Sequence, residues 1–240
     1  MATVGIVPKG PAAQARVKRL PYATVAEAIA EKYHTELAYL KRLNPGQTGH
    51  LKPGATLKVP NVKPFELKDV KILEPGSEAA AVIANELGDA PAATPSPVSD
   101  ATPVTSDIEI YISTRRNMLE IRVGKKVAAA FPVTVGSEQT VSPIGKWTVS
   151  RIVKMPNFRY DLSMLNKGRR SSHFHLLPPG PNNPVGVVWI ALNKNGIGIH
   201  GTSEPDSIGR ASSHGCIRLA NWDVVKVAEL VKPGVSVTVE

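Results

Sequence analysis

A single cysteine, Cys216, is all that 240 residues supply. No internal disulfide can form, and metal sites built on paired cysteines are excluded, so Cys216 is either a buried apolar filler or a reactive thiol. Aromatic residues are scarce as well, at 5%. Neither a nucleic-acid-binding motif nor an aromatic stacking array accompanies the basic charge, so nucleic acid is not an expected partner. No stretch approaches the ~18 consecutive apolar residues that a membrane span needs, and residues 1–20 are basic without the apolar core of a secretory signal. Acidic residues are the minority, 20 against 29 Lys plus Arg, for a net charge of +9. What the chain does have is 42% apolar residues, enough to fill globular cores, and a length that suits one large or two small domains.

The charge is unevenly placed. Residues 1–64 hold ten basic and three acidic side chains, 65–106 two and seven, and 107–240 seventeen and ten. The acidic middle carries Pro91, Pro95, Pro97 and Pro103 among Ala, Ser, Thr and Asp, a composition that buries little and favours extended conformers. It reads as a linker, 65–106, between an N-terminal domain, 1–64, and a larger domain, 107–240. In the first, Thr24 and Glu27 form a capping box ahead of Val25, Ile29 and Tyr33 at helical spacing. Thr35 is placed to cap a second helix with Leu37, Leu40 and Leu43, stopped by Asn44-Pro45-Gly46. A turn at Leu51-Lys52-Pro53-Gly54 leads to an alternating strand, Leu57-Lys58-Val59.

From residue 107 the period becomes two. Ile108, Ile110 and Ile112 alternate with Glu109 and Tyr111, and the segments 118–123, 127–135, 147–153, 187–192 and 197–200 also read as strands. One helix, capped by Asn221 and with Val224, Val227, Ala228 and Val231 on one face, precedes a last strand at 235–239. The domain is therefore mainly β. Between 155 and 186 the pattern lapses into a long polar segment expected to be a functional loop or lid. Its His173 and His175 lack a supporting carboxylate or cysteine cluster and read as surface or lid residues. Arg169 and Arg170, with Lys167, read as a solvated charge run.

The chemistry sits in Ile199-His200-Gly201-Thr202 and Ser213-His214-Gly215-Cys216-Ile217-Arg218-Leu219. A thiol attacks acyl carbon only as the thiolate, and a nearby imidazole takes its proton and steadies the anion. His200 ends an expected strand, and a Gly- and Ser-rich loop can fold Cys216 back towards it. Gly215 suits a turn whose backbone N–H groups face a developing oxyanion, worth roughly 10²- to 10³-fold in rate per donor.

Two resemblances follow from these residues. Ala28-Ile29-Ala30-Glu31-Lys32-Tyr33, Leu40-Lys41-Arg42-Leu43-Asn44-Pro45 and the stretch from Leu51 to Pro60 resemble the LysM module, which implies a small α+β glycan-binding fold, though its usual first strand has no counterpart before Val25. The His200 and Ser213-His214-Gly215-Cys216 pattern resembles the catalytic signature of the L,D-transpeptidases, the YkuD family. That likeness implies a β-sandwich-like catalytic domain with one C-terminal helix, working without cofactor or metal. It casts Cys216 as nucleophile, His200 as general base and the Gly201 carbonyl as the group that orients the ring. Backbone N–H groups of Gly215 and Cys216 form the oxyanion hole, and Ser213, His214 and Arg218 line the pocket. The implied partners are peptidoglycan stem peptides and glycan strands, with carbapenems as acylating inhibitors. The implied location is the periplasm or cell wall, reached by an exported chain whose leader was removed or lies outside this sequence. The same thioester also serves an L,D-carboxypeptidase, a protein-anchoring enzyme or a crosslink-cleaving one. A non-enzymatic peptidoglycan-binding protein is the alternative of another class.

Overall fold

The computed structural model describes residues 4–70, 108–136, 144–167, 169–194, 196–210 and 215–240. After a single helical turn, α1 (Pro11–Gln14), two helices form in the N-terminal part, α2 (Val25–Lys32) and α3 (Leu37–Leu43). Thr24 caps α2, its Oγ1 accepting from the Glu27 N–H at 3.1 Å while Glu27 Oε2 accepts from the Ala23 N–H at 2.8 Å. The buried face of α2 is alanine rather than the expected Val25, which is exposed. Ala26 and Ala30 are small enough to let Leu40 of α3 close upon them. Thr35 does not cap α3, because the cap position falls on Glu36, which contributes no side-chain bond.

No strand forms at Leu57-Lys58-Val59. Asn44 does the work of a neighbouring strand there: its Nδ2 donates to the Leu40 and Lys58 carbonyls at 2.9 and 2.8 Å, and its Oδ1 accepts from the Lys58 N–H at 2.7 Å. With the backbone groups of Lys58 satisfied by one buried amide, the segment needs no ladder.

The larger part is built on β1 (Ile108–Ser113), β2 (Met118–Val123), β3 (Lys126–Pro132), β4 (Gly145–Lys154), β5 (Phe158–Tyr160), β6 (His175–Leu177), β7 (Val188–Leu192), β8 (Gly198–His200), β9 (Ile217–Arg218) and β10 (Ser236–Val239). Eight of them make one sheet in the order β3-β2-β1-β10-β4-β7-β8-β9. The expected sandwich is instead a single sheet curled on itself. Thr134, just past β3, pairs with Arg218 of β9 through two backbone hydrogen bonds of 2.9 Å, joining the two outermost strands. The alternating Ile110, Ile112, Leu119, Ile121, Ile190, Ile199 and Ile217 fill the inside of the curl. The helix α5 (Asn221–Leu230) closes it with Val224 and Val227. Each such side chain contributes roughly 1.5–3 kcal/mol by leaving water.

The segment 155–186 is not a bare loop. Strands β5 and β6 pair within it, and α4 (Leu162–Lys167) lies between them, so the larger domain holds a second short helix. Asp161 is the hub: it accepts from the N–H groups of Ser163, Met164 and Ser171 and from the Ser171 hydroxyl, at 2.7–3.1 Å. Those bonds, led by that from the Ser171 N–H, hold its carboxyl down to about 2.

The two parts do not stand apart. Leu20 is fully buried, with its N–H donating to the Pro179 carbonyl and its own carbonyl accepting from the Asn182 N–H at 3.0 and 3.2 Å. Gly180 is required there, since a β-carbon would lie 2.1 Å from the Leu20 carbonyl oxygen. His34 stacks on Trp222, ring centroids 5.7 Å apart. Residues 65–70, expected to begin a linker, are packed as well: Phe65 and Val70 are buried in the core of the larger domain. The rest of that expected linker lies outside the described residues.

Replacing Asp161 by Asn should loosen 155–186, because the amide presents donors to N–H groups that need an acceptor. Trypsin cleavage after the exposed Arg169 or Arg170 should accelerate several-fold; unchanged cleavage would show that β5–β6 pairing alone holds the segment. For the parent protein the Asp161 contribution is present above pH ~4 and lost as pH falls towards 2, the sign set by a folded pKa below the unfolded value.

Candidate active site

β8 and β9 run parallel, with Ile199 beside Ile217 and His200 beside Arg218. Ile199 and Ile217 are both fully buried in the core. Strand alternation therefore turns His200, Arg218 and Cys216, one residue before β9, to the opposite face, with Cys216 abreast of Gly198. By that register Cys216 stands two positions back from His200.

His200 is held from two sides. Its Nδ1 donates to the Gly201 carbonyl at 2.6 Å, which fixes the proton on Nδ1 and leaves Nε2 as the basic nitrogen. Its ring stacks on Trp189 of β7 at 5.1 Å, nearly parallel. Gly198 makes room for that indole, since a β-carbon there would come within 2.6 Å of Trp189 Cζ2. Burial, opposed by the Gly201 hydrogen bond and aided by the charge of Arg218, pushes the imidazole down to about 4. It is neutral at physiological pH.

Cys216 is half-buried, and its Sγ donates to the Gly196 carbonyl at 3.6 Å. Burial raises its thiol pKa, against the Gly198 N–H and the Arg218 charge, which favour the anion. Gly215 adopts φ 102°, a conformation that favours glycine immediately before the thiol. Arg218 acts on both neighbours by its charge, and burial lowers its own pKa. Ser213 and His214 lie outside the described residues. The loop ahead of them is tied down by Thr134, whose hydroxyl donates to the Ser207 carbonyl and accepts from the Gly209 N–H.

Three residues at the site were not singled out by sequence pattern for the parts they play. Trp189 sits in a strand recognised only as a strand, yet it is the register partner of His200. Thr134 joins the sheet's outermost strands. Asn221, expected to cap α5, is its first helical residue, and its side chain is buried in other bonds.

The region combines a thiol and an imidazole that burial holds neutral, the imidazole oriented by the Gly201 carbonyl. The L,D-transpeptidase catalytic domain model (YkuD) matches residues 107–239. The chain belongs to the L,D-transpeptidase family. This is a family of acyltransferases acting on cell-wall peptidoglycan. Among L,D-transpeptidase relatives, the chain is 31% identical to putative L,D-transpeptidase YkuD of Bacillus subtilis over 137 residues, 57% of this chain and 68% of that protein. It is 29% identical to putative L,D-transpeptidase YqjB of the same species over 142 residues, 57% and 73% of the two chains. A solved structure of an L,D-transpeptidase from Mycobacterium smegmatis aligns at 19% identity and a TM-score of 0.44, over 56% of this chain and 58% of that one. L,D-transpeptidase 3 from Mycobacterium tuberculosis, in complex with a faropenem-derived adduct, aligns at 17% and 0.44, over 56% and 60%. The chain spans somewhat over half the length of these structures.

Because burial keeps the proton on sulfur, alkylation of Cys216 by iodoacetamide should go on rising as pH climbs past the ordinary thiol pKa of ~8.5, with no plateau below it. Mass spectrometry of the time course checks this. A rate plateau reached below pH 7 would reveal a preformed thiolate–imidazolium pair instead.

Proposed function

We propose that this L,D-transpeptidase crosslinks peptidoglycan stems through a thioester on Cys216. The observation that supports the reading is the register of β8 with β9, which sets Cys216, one residue before β9, two positions from His200, together with His200 Nε2 left basic by the Nδ1 bond to Gly201. In the first half-reaction the Cys216 proton passes to His200 Nε2 as sulfur attacks the carbonyl at the L-centre of the third stem residue, meso-diaminopimelate. The C–S bond forms, the carbonyl electrons move onto oxygen against the Gly215 and Cys216 N–H groups, and the C–N bond to the terminal D-Ala then breaks. His200 returns its proton to the departing amine. In the second half-reaction an amine from a neighbouring stem attacks the thioester, loses a proton to His200, and sulfur leaves as the thiol. Ser213, His214 and Arg218 line the stem pocket, and 155–186 acts as a lid that favours amine over water.

The reaction takes place outside the cytoplasmic membrane, in the periplasm or at the wall. No helix among the described residues is long and apolar enough to cross a membrane. The basic N-terminal domain, as a LysM-like module, meets the glycan strands. Its two helices and the 51–60 segment clipped by Asn44 support that reading.

Intact-mass measurement with a carbapenem tests the nucleophile: one adduct is expected on the parent protein and none on Cys216→Ala. His200→Ala should slow acylation by roughly 10²- to 10⁴-fold, the usual worth of a positioned base. Incubation with purified muropeptides reads the outcome. Crosslinked dimers support transpeptidation, whereas shortened monomers alone would replace it with L,D-carboxypeptidation.

A further inference from the structure

Asn221 has no exposed surface, and both polar atoms of its side chain are engaged. Oδ1 accepts from the Val187 N–H at 3.1 Å, and Nδ2 donates to Glu31 Oε2 at 3.0 Å and to the Pro181 carbonyl at 3.3 Å. This amide also forms the floor of the active site. A β-carbon on Gly201 would lie 2.2 Å from Asn221 Oδ1, and one on Gly186 would lie 2.1 Å from it. Glycine at both positions lets Asn221 press against the backbone, and Gly201 supplies the carbonyl that holds His200 Nδ1. The Gly201 N–H is fixed in turn by the Val188 carbonyl at 3.1 Å.

The other end of the chain of contacts belongs to the N-terminal domain. Glu31, on α2, is buried, and both its oxygens are occupied: Oε1 accepts from the Tyr22 hydroxyl at 2.5 Å and Oε2 from Asn221. A buried carboxyl is expensive even when bonded, and burial here pushes it up to about 7. An apolar residue at that helix position would pack the two domains without that cost. The carboxyl does what an apolar residue cannot, because it adds the shorter of two acceptor bonds on this side, beside that to Pro181, and so strengthens the preference for one facing of the Asn221 amide. With Glu31 accepting, the NH₂ points to the N-terminal domain and the oxygen to Val187 and Gly201. A flipped amide would set donor against donor at the Val187 N–H.

We propose that Glu31 is a positioning residue of the active site. Across the domain boundary it fixes the Asn221 amide, Asn221 seats the Gly201 peptide, and that peptide orients the His200 ring. The N-terminal domain is thereby part of the catalytic apparatus as well as a wall-binding element. The proposal rests on the assignment of His200 as the base.

Two variants of the full chain separate positioning from simple packing. Glu31→Gln keeps an acceptor for Asn221. The pair Tyr22→Phe with Glu31→Leu leaves an apolar, filled interface in which Nδ2 keeps the longer bond to the Pro181 carbonyl, so that it folds while losing the carboxyl anchor. In ¹⁵N-labelled protein the hydrogen-bonded Nδ1–H of His200, identified by its loss in His200→Gln, should persist in Glu31→Gln and broaden or vanish in the double variant. Acylation by a carbapenem at saturation should fall ~10- to ~100-fold in the double variant, as expected for a displaced catalytic group, and stay within about twofold of the parent in Glu31→Gln. A folded double variant that keeps both the ring signal and the rate overturns the proposal. So does a Glu31→Gln protein impaired as much as the double variant. The ring signal needs no substrate, so it tests the positioning separately from the base assignment, which the His200 variant tests on its own.

Discussion

Two backbone hydrogen bonds between Thr134 and Arg218 hold the outermost strands of the sheet together, and the site depends on that seam. A short strand such as β9, two residues long, has little to keep it in place by itself. Paired to β8 on one side and to Thr134 on the other, it is fixed in register and in direction, and the thiol just ahead of it inherits both. The Thr134 hydroxyl extends the same anchor to residues 207–209, so the chain approaching the cysteine is tethered before it arrives. Closing an edge removes an exposed row of N–H and C=O groups. Here it also puts the reactive sulfur at the junction of two otherwise distant strands.

The electrostatics of the pair follow from desolvation. Burial disfavours both the thiolate and the imidazolium, so the resting state keeps the proton on sulfur although an oriented base stands beside it. In the proposed reaction, charge separation is left for the moment when an acyl carbon arrives and oxyanion donors can share the negative charge. A neutral thiol is also the less oxidisable form. Trp189, stacked against the imidazole, contributes to the apolar surroundings that produce this state.

Much of the larger domain was legible because its strands alternate cleanly: Ile108 to Ile112, Met118 to Val123 and the pair around Ile199 and Ile217 each announce one buried face. His200 and Cys216 stand out in the sequence by residue type and spacing, and the fold sets them two register positions apart on neighbouring segments. Other features were hidden for physical reasons. Asn221 looks like a helix cap in sequence, because asparagine before an apolar helical face usually is one, and only the fold brings Glu31 and Val187 to its amide. The α2 face was misread because alanines, weak in hydrophobic pattern, are buried where close helix contact matters more than size. Segment 155–186 shows no periodicity, since Asp161 organises it through local hydrogen bonds rather than through an apolar stripe. The docking of the two domains relies on Leu20, Gly180 and Asn182, whose sequence separation gives no hint of contact.

The position of β10 carries a consequence for the order in which the protein is assembled. It lies between β1, to which it runs parallel, and β4, and so joins the β3-β2-β1 half of the sheet to the β4-β7-β8-β9 half at the end opposite the Thr134–Arg218 seam. During synthesis the two halves have no shared strand until β10 emerges, and contacts this distant in sequence form late. Thr134 belongs to the first half and Arg218 to the second. The seam and β10 thus tie the same two halves at opposite ends, and the sheet is complete once both are in place. The surroundings of His200 and Cys216 are thus completed by the last strand of the sheet to be made.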